Sequence, residues 1–223
     1  MTGTAAQSSL PAVILISGRG SNMQVIAEAA LAGRLAIDVR AVLSDRADAA
    51  GLATARALGI ETRVIASRPG VERSQYDREL ATAVRRYAPA IVVLAGFMRI
   101  LSAPFVDEFL GRTLNIHPSL LPKYRGLHTH RRVLEAHERE HGASVHFVTS
   151  ELDGGPVVIQ GRLRIRPDDD EASLAARVQN MEHRIYPQAI AWLAQGRLLW
   201  NDGNPRLDGA PLTGPRIVDE QEI

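Results

Sequence analysis

Residues 12 to 22 read Ala-Val-Ile-Leu-Ile-Ser-Gly-Arg-Gly-Ser-Asn, and this stretch decides the fold. Its first five residues are an uninterrupted apolar run, which predicts a β-strand buried on both faces. The polar and glycine-rich residues that follow predict a turn. Met23–Ala32 then has the spacing of an amphipathic helix, and Gly33 is placed to end it. The stretch therefore predicts a buried strand that leads through a short turn into a helix.

The same alternation of strand and helix continues as far as residue 117. Such a pattern predicts a parallel, doubly wound sheet. The predicted strands are Ala12–Ile16, Ile37–Leu43, Glu61–Ala66, Ile91–Ala95 and Thr113–His117. The helices predicted between them are Met23–Ala32, Asp48–Leu58, Val71–Tyr87 and Pro104–Leu110, the last with Ser102 near its N-cap. A turn is predicted at residues 68–70.

Beyond residue 117 the pattern changes, and we predict an antiparallel extension of the sheet. Its predicted elements are a helix at Thr129–Glu140 with Thr129 as N-cap, strands at Ser144–Val148, Val157–Gln160 and Leu163–Arg166, a long helix at Ala172–Ala194, and edge strands at Leu198–Trp200 and Arg206–Leu207. We predict a flexible leader at 1–9, a single domain at 10–205 and a partly flexible tail at 206–223, which has little to pack against from about Thr213.

Composition excludes several classes of function. The 223 residues carry a formal net charge of +1, which does not suggest a partner such as nucleic acid or a membrane surface. Cysteine is absent, so disulfides, thiolate catalysis and cysteine-based zinc sites are excluded. No apolar run approaches the roughly 18 residues that span a bilayer. The first residues lack the features of a signal peptide, so we expect a cytoplasmic protein.

The turn at Ser17–Asn22 is a candidate phosphate site. A helix that begins after a glycine turn presents unpaired N–H groups and the positive end of its dipole. Gly20 allows close approach of a ligand, while Ser21 and Asn22 add donors. The dinucleotide fingerprint would need glycine where Met23 stands, so a monophosphate fits better than NAD. A tight turn without any ligand is the alternative.

A second candidate site follows the strand at Thr113–His117. Asn115 and His117 are two residues apart on a strand and therefore share a face, and Pro118 ends the regular structure. Both side chains offer N–H donors that could stabilise one oxyanion. Asp153, before two glycines and a proline, is the best candidate for a carboxylate that keeps the imidazole charged. A structural histidine and a turn-forming aspartate remain the alternatives.

The other histidines do not predict a metal site. His128 and His130 are two residues apart, but nothing nearby completes a ligand set, and a helix entrance is the preferred interpretation. His137 and His141 have a helical spacing that is common by chance, His146 lies within a strand and His183 within a helix. We expect no metal.

Six segments, in order, resemble the folate-dependent glycinamide ribonucleotide formyltransferases of purine biosynthesis. These are residues 16–22 (Ile-Ser-Gly-Arg-Gly-Ser-Asn), 92–101 (Val-Val-Leu-Ala-Gly-Phe-Met-Arg-Ile-Leu), 114–124 (Leu-Asn-Ile-His-Pro-Ser-Leu-Leu-Pro-Lys-Tyr), 126–130 (Gly-Leu-His-Thr-His), 144–149 (Ser-Val-His-Phe-Val-Thr) and 151–156 (Glu-Leu-Asp-Gly-Gly-Pro). The resemblance covers residues 12 to 200. It implies a Rossmann-like α/β formyltransferase fold, with a mostly parallel central sheet, helices on both faces and an antiparallel C-terminal extension. It also implies formyl transfer from 10-formyltetrahydrofolate to the glycinamide amine, with no metal.

The resemblance also implies roles for individual residues. Asn115, His117 and Asp153 would be catalytic, and Gly20, Ser21, Asn22 and Glu182 would bind glycinamide ribonucleotide. The folate site would comprise Arg73, Met98, Arg99, Ile100, Leu101, Asn115, Thr149, Ser150, Glu151, Leu152 and Asp153. Arg73 and Glu182 rest on the resemblance alone. Two departures are Arg19, where the family commonly has asparagine, and Arg125, where it often has proline or lysine.

Three other functions remain open on this fold. A 10-formyltetrahydrofolate hydrolase would normally carry an extra N-terminal domain, and a methionyl-tRNA formyltransferase a basic C-terminal domain. A non-catalytic sensor of a phosphate ligand is the third, but retention of Asn115, His117 and Asp153 together argues against it. We expect small-molecule substrates and either a monomer or a homodimer.

Overall fold

The architecture follows from a computed structural model that describes residues 9–67 and 70–220. Eleven strands and six helices are defined in this part of the chain. The strands are β1 (Leu10–Ile16), β2 (Ile37–Ser44), β3 (Glu61–Val64), β4 (Ile91–Leu94), β5 (Thr113–His117), β6 (Glu140–Phe147), β7 (Val157–Arg164), β8 (Leu198–Leu199), β9 (Arg206–Leu207), β10 (Ala210–Pro211) and β11 (Arg216–Asp219). The helices are α1 (Ser21–Leu31), α2 (Ala50–Ala57), α3 (Arg73–Arg85), α4 (Ala103–Glu108), α5 (Thr129–Glu135) and α6 (Glu171–Ala194).

Eight strands form the central sheet in the order β11-β7-β6-β5-β4-β1-β2-β3. The pairs among β1 to β5 are parallel, and β6 then runs antiparallel to both β5 and β7. Successive residues of β1 point to opposite faces: Ile14 packs in one hydrophobic cluster with α1 and α6, and Leu15 in another with α3 and α4. The predicted mostly parallel sheet, covered by helices on both faces and extended by antiparallel strands, is therefore confirmed.

The helix predicted at Thr129–Glu140 is shorter than expected. It ends at Glu135, because His137 adopts a left-handed conformation with φ 51° and Glu138 N–H bonds back to Val133. Residues from Glu140 onward belong to β6. The prediction of Thr129 as N-cap is also wrong, since His128 holds that position with φ 57°.

The predicted strand pair at Val157–Gln160 and Leu163–Arg166 is in fact the single strand β7. Gly161, between the two predicted segments, lies where α6 crosses the strand. A Cβ atom there would stand 2.9 Å from the terminal methyl carbon of Met181. The glycine therefore permits close packing of a helix on the strand and does not form a turn.

The C-terminal region packs more fully than its sequence suggests. The prediction that the tail has little to pack against is wrong for Arg216–Asp219, which form β11 and pair parallel with β7. β8 and β9 are present, but with β10 they form a separate antiparallel sheet. Residues 1–8 of the predicted leader, 68–69 of the predicted turn and 221–223 of the tail lie outside the described residues.

Candidate active site at the ends of β5 and β6

The antiparallel pairing of β5 and β6 brings three polar side chains together. Asn115 and His117 lie on one face of β5, as their spacing predicts. The register places Asn115 opposite His146 of β6. Asp153 reaches the same place from the loop after β6, although it lies far along the chain from His117. The structure thus brings the three predicted catalytic residues together and adds a fourth side chain.

His117 has an acceptor at each ring nitrogen. Nδ1 is 3.4 Å from Asp153 Oδ2, and Nε2 is 2.9 Å from the carbonyl oxygen of Tyr124. The His117 and Asp153 side chains are only 7% and 10% exposed. The geometry therefore places one oxygen acceptor near each ring nitrogen of His117, and the one near Nδ1 is a carboxylate.

His146 was given no role by the sequence, yet it holds Asn115. Its Nδ1 is 2.9 Å from the carbonyl oxygen of Phe147, so this nitrogen carries the proton and donates. Its Nε2 then accepts from Asn115 Nδ2 at 3.0 Å. Burial lowers the pKa of His146, which keeps the ring neutral and able to accept. Only the β5–β6 register could have identified this residue.

The loop that contains Asp153 is joined to the loop at residues 124–126. Gly126 N–H donates to Asp153 Oδ2 at 2.9 Å, and the guanidinium of Arg125 forms an ion pair with Glu151. Asp153 and Tyr124 both adopt positive φ angles, of 48° and 56°. A tyrosine in this conformation is uncommon and turns its carbonyl oxygen toward His117. Arg125 thus fastens one loop to the other.

The glycine turn and α6 enclose a cavity of about 250 Å³. Gly20 caps α1 with φ 75°, and a Cβ atom on it would lie 2.9 Å from Gly51 Cα, so only glycine fits. Asn22 Nδ2 donates to Glu182 Oε2 at 2.7 Å, and Gln179 Nε2 donates to Ser21 Oγ at 3.0 Å. The cavity therefore combines a helix N-terminus, which suits a phosphate, with a carboxyl group, which suits hydroxyl donors.

Glu182 is a buried acid in this cavity. Burial raises its pKa to about 7, although the hydrogen bond from Asn22 and the charge of Arg19 act in the opposite direction. Its side chain can therefore be protonated or charged at neutral pH. From the sequence alone, Glu182 looked like a solvated helix residue. The structure shows it 9% exposed and bonded to the glycine turn.

A second, narrower cavity of about 90 Å³ lies on the other side of Asn115. Most of the predicted folate residues line it, together with His146: these are Arg99, Ile100, Leu101, Asn115, Thr149, Ser150, Glu151, Leu152 and Asp153. Met98 instead lines the first cavity. Arg73 is exposed at the start of α3 and lines neither cavity. Ile116 and Pro118, the neighbours of His117, line the first cavity, so the catalytic residues lie between the two.

Two of the five remaining histidines, His130 and His141, form a pair, and neither lines the two cavities. His130 Nδ1 is 3.0 Å from His141 Nε2. Within residues 9–67 and 70–220, no group of three or more histidine or acidic side chains is arranged to hold a metal ion.

Comparisons with known proteins agree with this geometry. The model of the formyl transferase family matches residues 11–190. The chain is 54% identical over 200 residues to phosphoribosylglycinamide formyltransferase of Escherichia coli K12, covering 90% of this chain and 94% of that one. It is 41% identical over 207 residues to the Haemophilus influenzae enzyme of the same name, covering 93% and 98%. The Coxiella burnetii phosphoribosylglycinamide formyltransferase superposes with a TM-score of 0.89 at 48% identity, covering 94% of this chain and 99% of that one.

Proposed function

Because the chain belongs to the formyl transferase family, we propose that it carries out phosphoribosylglycinamide formyl transfer with Asn115, His117 and Asp153 as its catalytic residues. The reaction moves a formyl group from 10-formyltetrahydrofolate to the glycinamide amine of N1-(5-phosphoribosyl)glycinamide. The products are the N2-formyl compound and tetrahydrofolate, a step of de novo purine biosynthesis. One observation supports these residue roles above all: the His117–Asp153 pair and Asn115 stand between two separate cavities.

The first cavity suits the phosphoribosyl substrate. The N–H groups at the start of α1, at Ser21 and Asn22, would hold the phosphate beyond Gly20. Arg19 lines the same cavity and adds a positive charge. Glu182 would accept hydrogen bonds from ribose hydroxyls, since its carboxyl faces this space. The glycinamide amine would then extend toward His117.

The second cavity suits the pterin of the folate co-substrate. Backbone groups of Arg99, Ile100 and Leu101 would bind the ring edge, and the loop from Thr149 to Asp153 would cover it. Met98, at the boundary with the first cavity, and exposed Arg73 would contact the co-substrate outside the narrow space. Asn115 lines this cavity and its Nδ2 has a second hydrogen to offer, because His146 uses only one.

The chemistry needs stabilisation of an oxyanion and movement of one proton. As the amine attacks the formyl carbon, Asn115 and protonated His117 would donate to the developing oxygen anion. His117 would exchange one of its protein acceptors for this oxygen when the substrates bind. Asp153 would keep His117 charged and take the proton that the amine loses. The same proton must reach N10 of the folate, where the bond to the formyl carbon breaks.

One assay tests this function against the alternatives. The protein is incubated with 10-formyl-5,8-dideazafolate and glycinamide ribonucleotide, and the deformylated folate is followed by absorbance. We expect product only when both substrates are present, and unchanged activity with a chelator. Product formed with water in place of the amine would identify a hydrolase. Product with charged initiator tRNA would identify a tRNA formyltransferase, and phosphate binding without product would identify a sensor.

Further expectations concern the setting of the enzyme. None of the helices in the described part of the chain is both long and apolar enough to cross a membrane. We expect a cytoplasmic enzyme, acting on small molecules and not on a nucleic acid or a membrane, as a monomer or a homodimer. Fractionation and light scattering would test these expectations. The division into a leader at 1–9, a domain at 10–205 and a tail at 206–223 also stays a prediction.

A further inference from the structure

The segment Gly96–Ser102 links β4 to α4 and has no regular structure. Its side chains alternate in exposure: Phe97 and Leu101 are each 8% exposed, whereas Met98 and Ile100 are 70% and 52% exposed. A chain segment with two exposed apolar residues needs other anchors to keep one conformation. In the proposed function the backbone of this segment binds the pterin. The shape of the segment should therefore affect how the folate binds.

Two backbone amides of the segment, one near its start and one at its end, donate to buried polar side chains. Met98 N–H donates to Ser17 Oγ at 2.8 Å, and Ser102 N–H donates to Asp77 Oδ2 at 2.7 Å. Between these two anchored amides, those of Arg99, Ile100 and Leu101 have no acceptor among the described residues. The three free amides belong to the same residues that line the folate cavity. The anchors therefore fix the two ends and leave the middle able to bind a ligand.

Asp77 supplies the second anchor from α3. It is 1% exposed, so its hydrogen bond to Ser102 is shielded from water. The carbonyl oxygen of Ser102 in turn accepts from Phe105 and Val106 and begins α4. One carboxylate oxygen thus connects α3 to the point where the segment ends and α4 begins.

The preceding residue of α3 contacts the middle of the segment. The guanidinium carbon of Arg99 lies 4.1 Å from the centre of the Tyr76 ring. Tyr76 is itself 1% exposed and packs in one hydrophobic cluster with Phe97, Leu101 and Phe105. Tyr76 and Asp77, two consecutive residues of α3, thus contact the segment at its middle and at its end.

We propose that Asp77 is a positioning residue for the folate co-substrate, acting through its hydrogen bond to Ser102 on the shape of Gly96–Ser102. This inference rests on the proposed function, because it assumes that the segment binds the pterin. Asp77 lines neither cavity. It determines where the amides of Arg99 to Leu101 stand when the co-substrate arrives.

Steady-state kinetics with both substrates varied test the proposal. Asp77→Ala leaves the Ser102 amide without an acceptor, and we expect the KM for 10-formyl-5,8-dideazafolate to rise about tenfold. The KM for glycinamide ribonucleotide and kcat should stay within about twofold, because the phosphate cavity and the catalytic residues are untouched. Asp77→Asn keeps an acceptor oxygen and should restore the folate KM to within about twofold. Asp107→Ala, at an exposed acid on α4, is the matched control and should change nothing.

If Asp77→Ala does not fold, Ser102→Pro tests the same hydrogen bond by removing its donor. The φ of Ser102 is −77°, which proline adopts, and proline removes the N–H. The same selective rise in the folate KM is expected. Equal changes in both KM values, a fall in kcat alone, or an Asp77→Asn variant as impaired as Asp77→Ala would overturn the proposal. Absence of formyl transfer by the wild-type protein would instead overturn the proposed function, and this inference with it.

Discussion

His117 and His141 are two buried histidines in different surroundings. His117 has the Asp153 carboxylate at one nitrogen and a carbonyl oxygen at the other. His141 has the imidazole of His130 as its partner, and burial together with the charges of His130 and His117 lowers its pKa to about 3. The two rings therefore differ in their neighbours: a carboxylate and a carbonyl oxygen at His117, a second imidazole at His141. In the proposed mechanism the acid at His117 favours a protonated ring, whereas burial keeps His141 neutral.

The substitution with the largest expected effect removes the carboxylate of Asp153. Asp153→Asn removes the negative charge beside His117. In the proposed mechanism that charge keeps the imidazole protonated. We expect turnover to fall by a hundredfold or more, equivalent to about 3 kcal/mol. The measurement is kcat with both substrates across a pH series, with the exposed Asp168→Asn as control. Unchanged turnover with an unchanged pH profile would remove the proposed role of Asp153.

Glu182 extends the comparison to a buried acid. Its pKa rises from 4.5 to about 7, so the folded protein keeps a proton that the unfolded chain has lost. Stability is therefore lost as the pH rises from 4.5 to 7, by up to about 3 kcal/mol. We expect Glu182→Gln to recover this amount above pH 7 in urea unfolding, while the KM for glycinamide ribonucleotide rises. Parallel pH–stability curves for wild type and variant would contradict the prediction.

His141 should affect stability in the opposite pH direction. Its pKa is lowered from 6.5 to about 3, so in acid the unfolded chain takes up a proton that the folded protein refuses. Stability is fully present above pH 6.5 and falls below it, by about 2 kcal/mol at pH 5. We expect His141→Gln to reduce the difference in unfolding free energy between pH 7 and pH 5 by that amount. His137→Asn, at an exposed position, should leave the difference unchanged.

The smallest effect is expected from replacing His146, the neutral histidine that accepts a hydrogen bond from Asn115. His146→Ala removes the acceptor that orients the Asn115 amide, and we expect kcat to fall about tenfold, because Asn115 itself remains. His146→Gln offers an amide oxygen as a substitute acceptor and should recover part of the loss. If both variants retained full kcat, Asn115 would not depend on this hydrogen bond.

The sequence predicted best where the information is local. The glycine turn and the Asn115–His117 pair each lie within a few consecutive residues, so the periodicity of one strand and the chemistry of one turn were enough. The composition of its loop made Asp153 a candidate, but its distance from His117 depends on how that loop folds back. The role of His146 depends on the β5–β6 register, and Glu182 on the crossing of α6 over the glycine turn. These pairings join residues far apart in the chain, so the pattern within one short segment cannot predict them.

The C-terminal strand was missed for a related reason. The position of Arg216–Asp219 depends on its pairing with β7 and on ion pairs with distant residues. Arg162 bonds to Asp219 at 2.8 Å, and Arg177, whose side chain is 13% exposed, binds both Asp169 and Glu220. Residues of β7 and α6 therefore hold this strand and the residue after it in place.

The position of β11 has a practical consequence for handling the protein. Without it, the hydrogen-bonding groups of Ile159–Arg162 in β7 would form an open edge to which a strand of another molecule could add. The four residues of β11 cover that edge, and they place charged Arg216 and Asp219 on the new margin of the sheet. A truncation before Arg216 would thus invite self-association even if the catalytic residues kept their places. A purification tag at this end should leave β11 and its ion pairs intact.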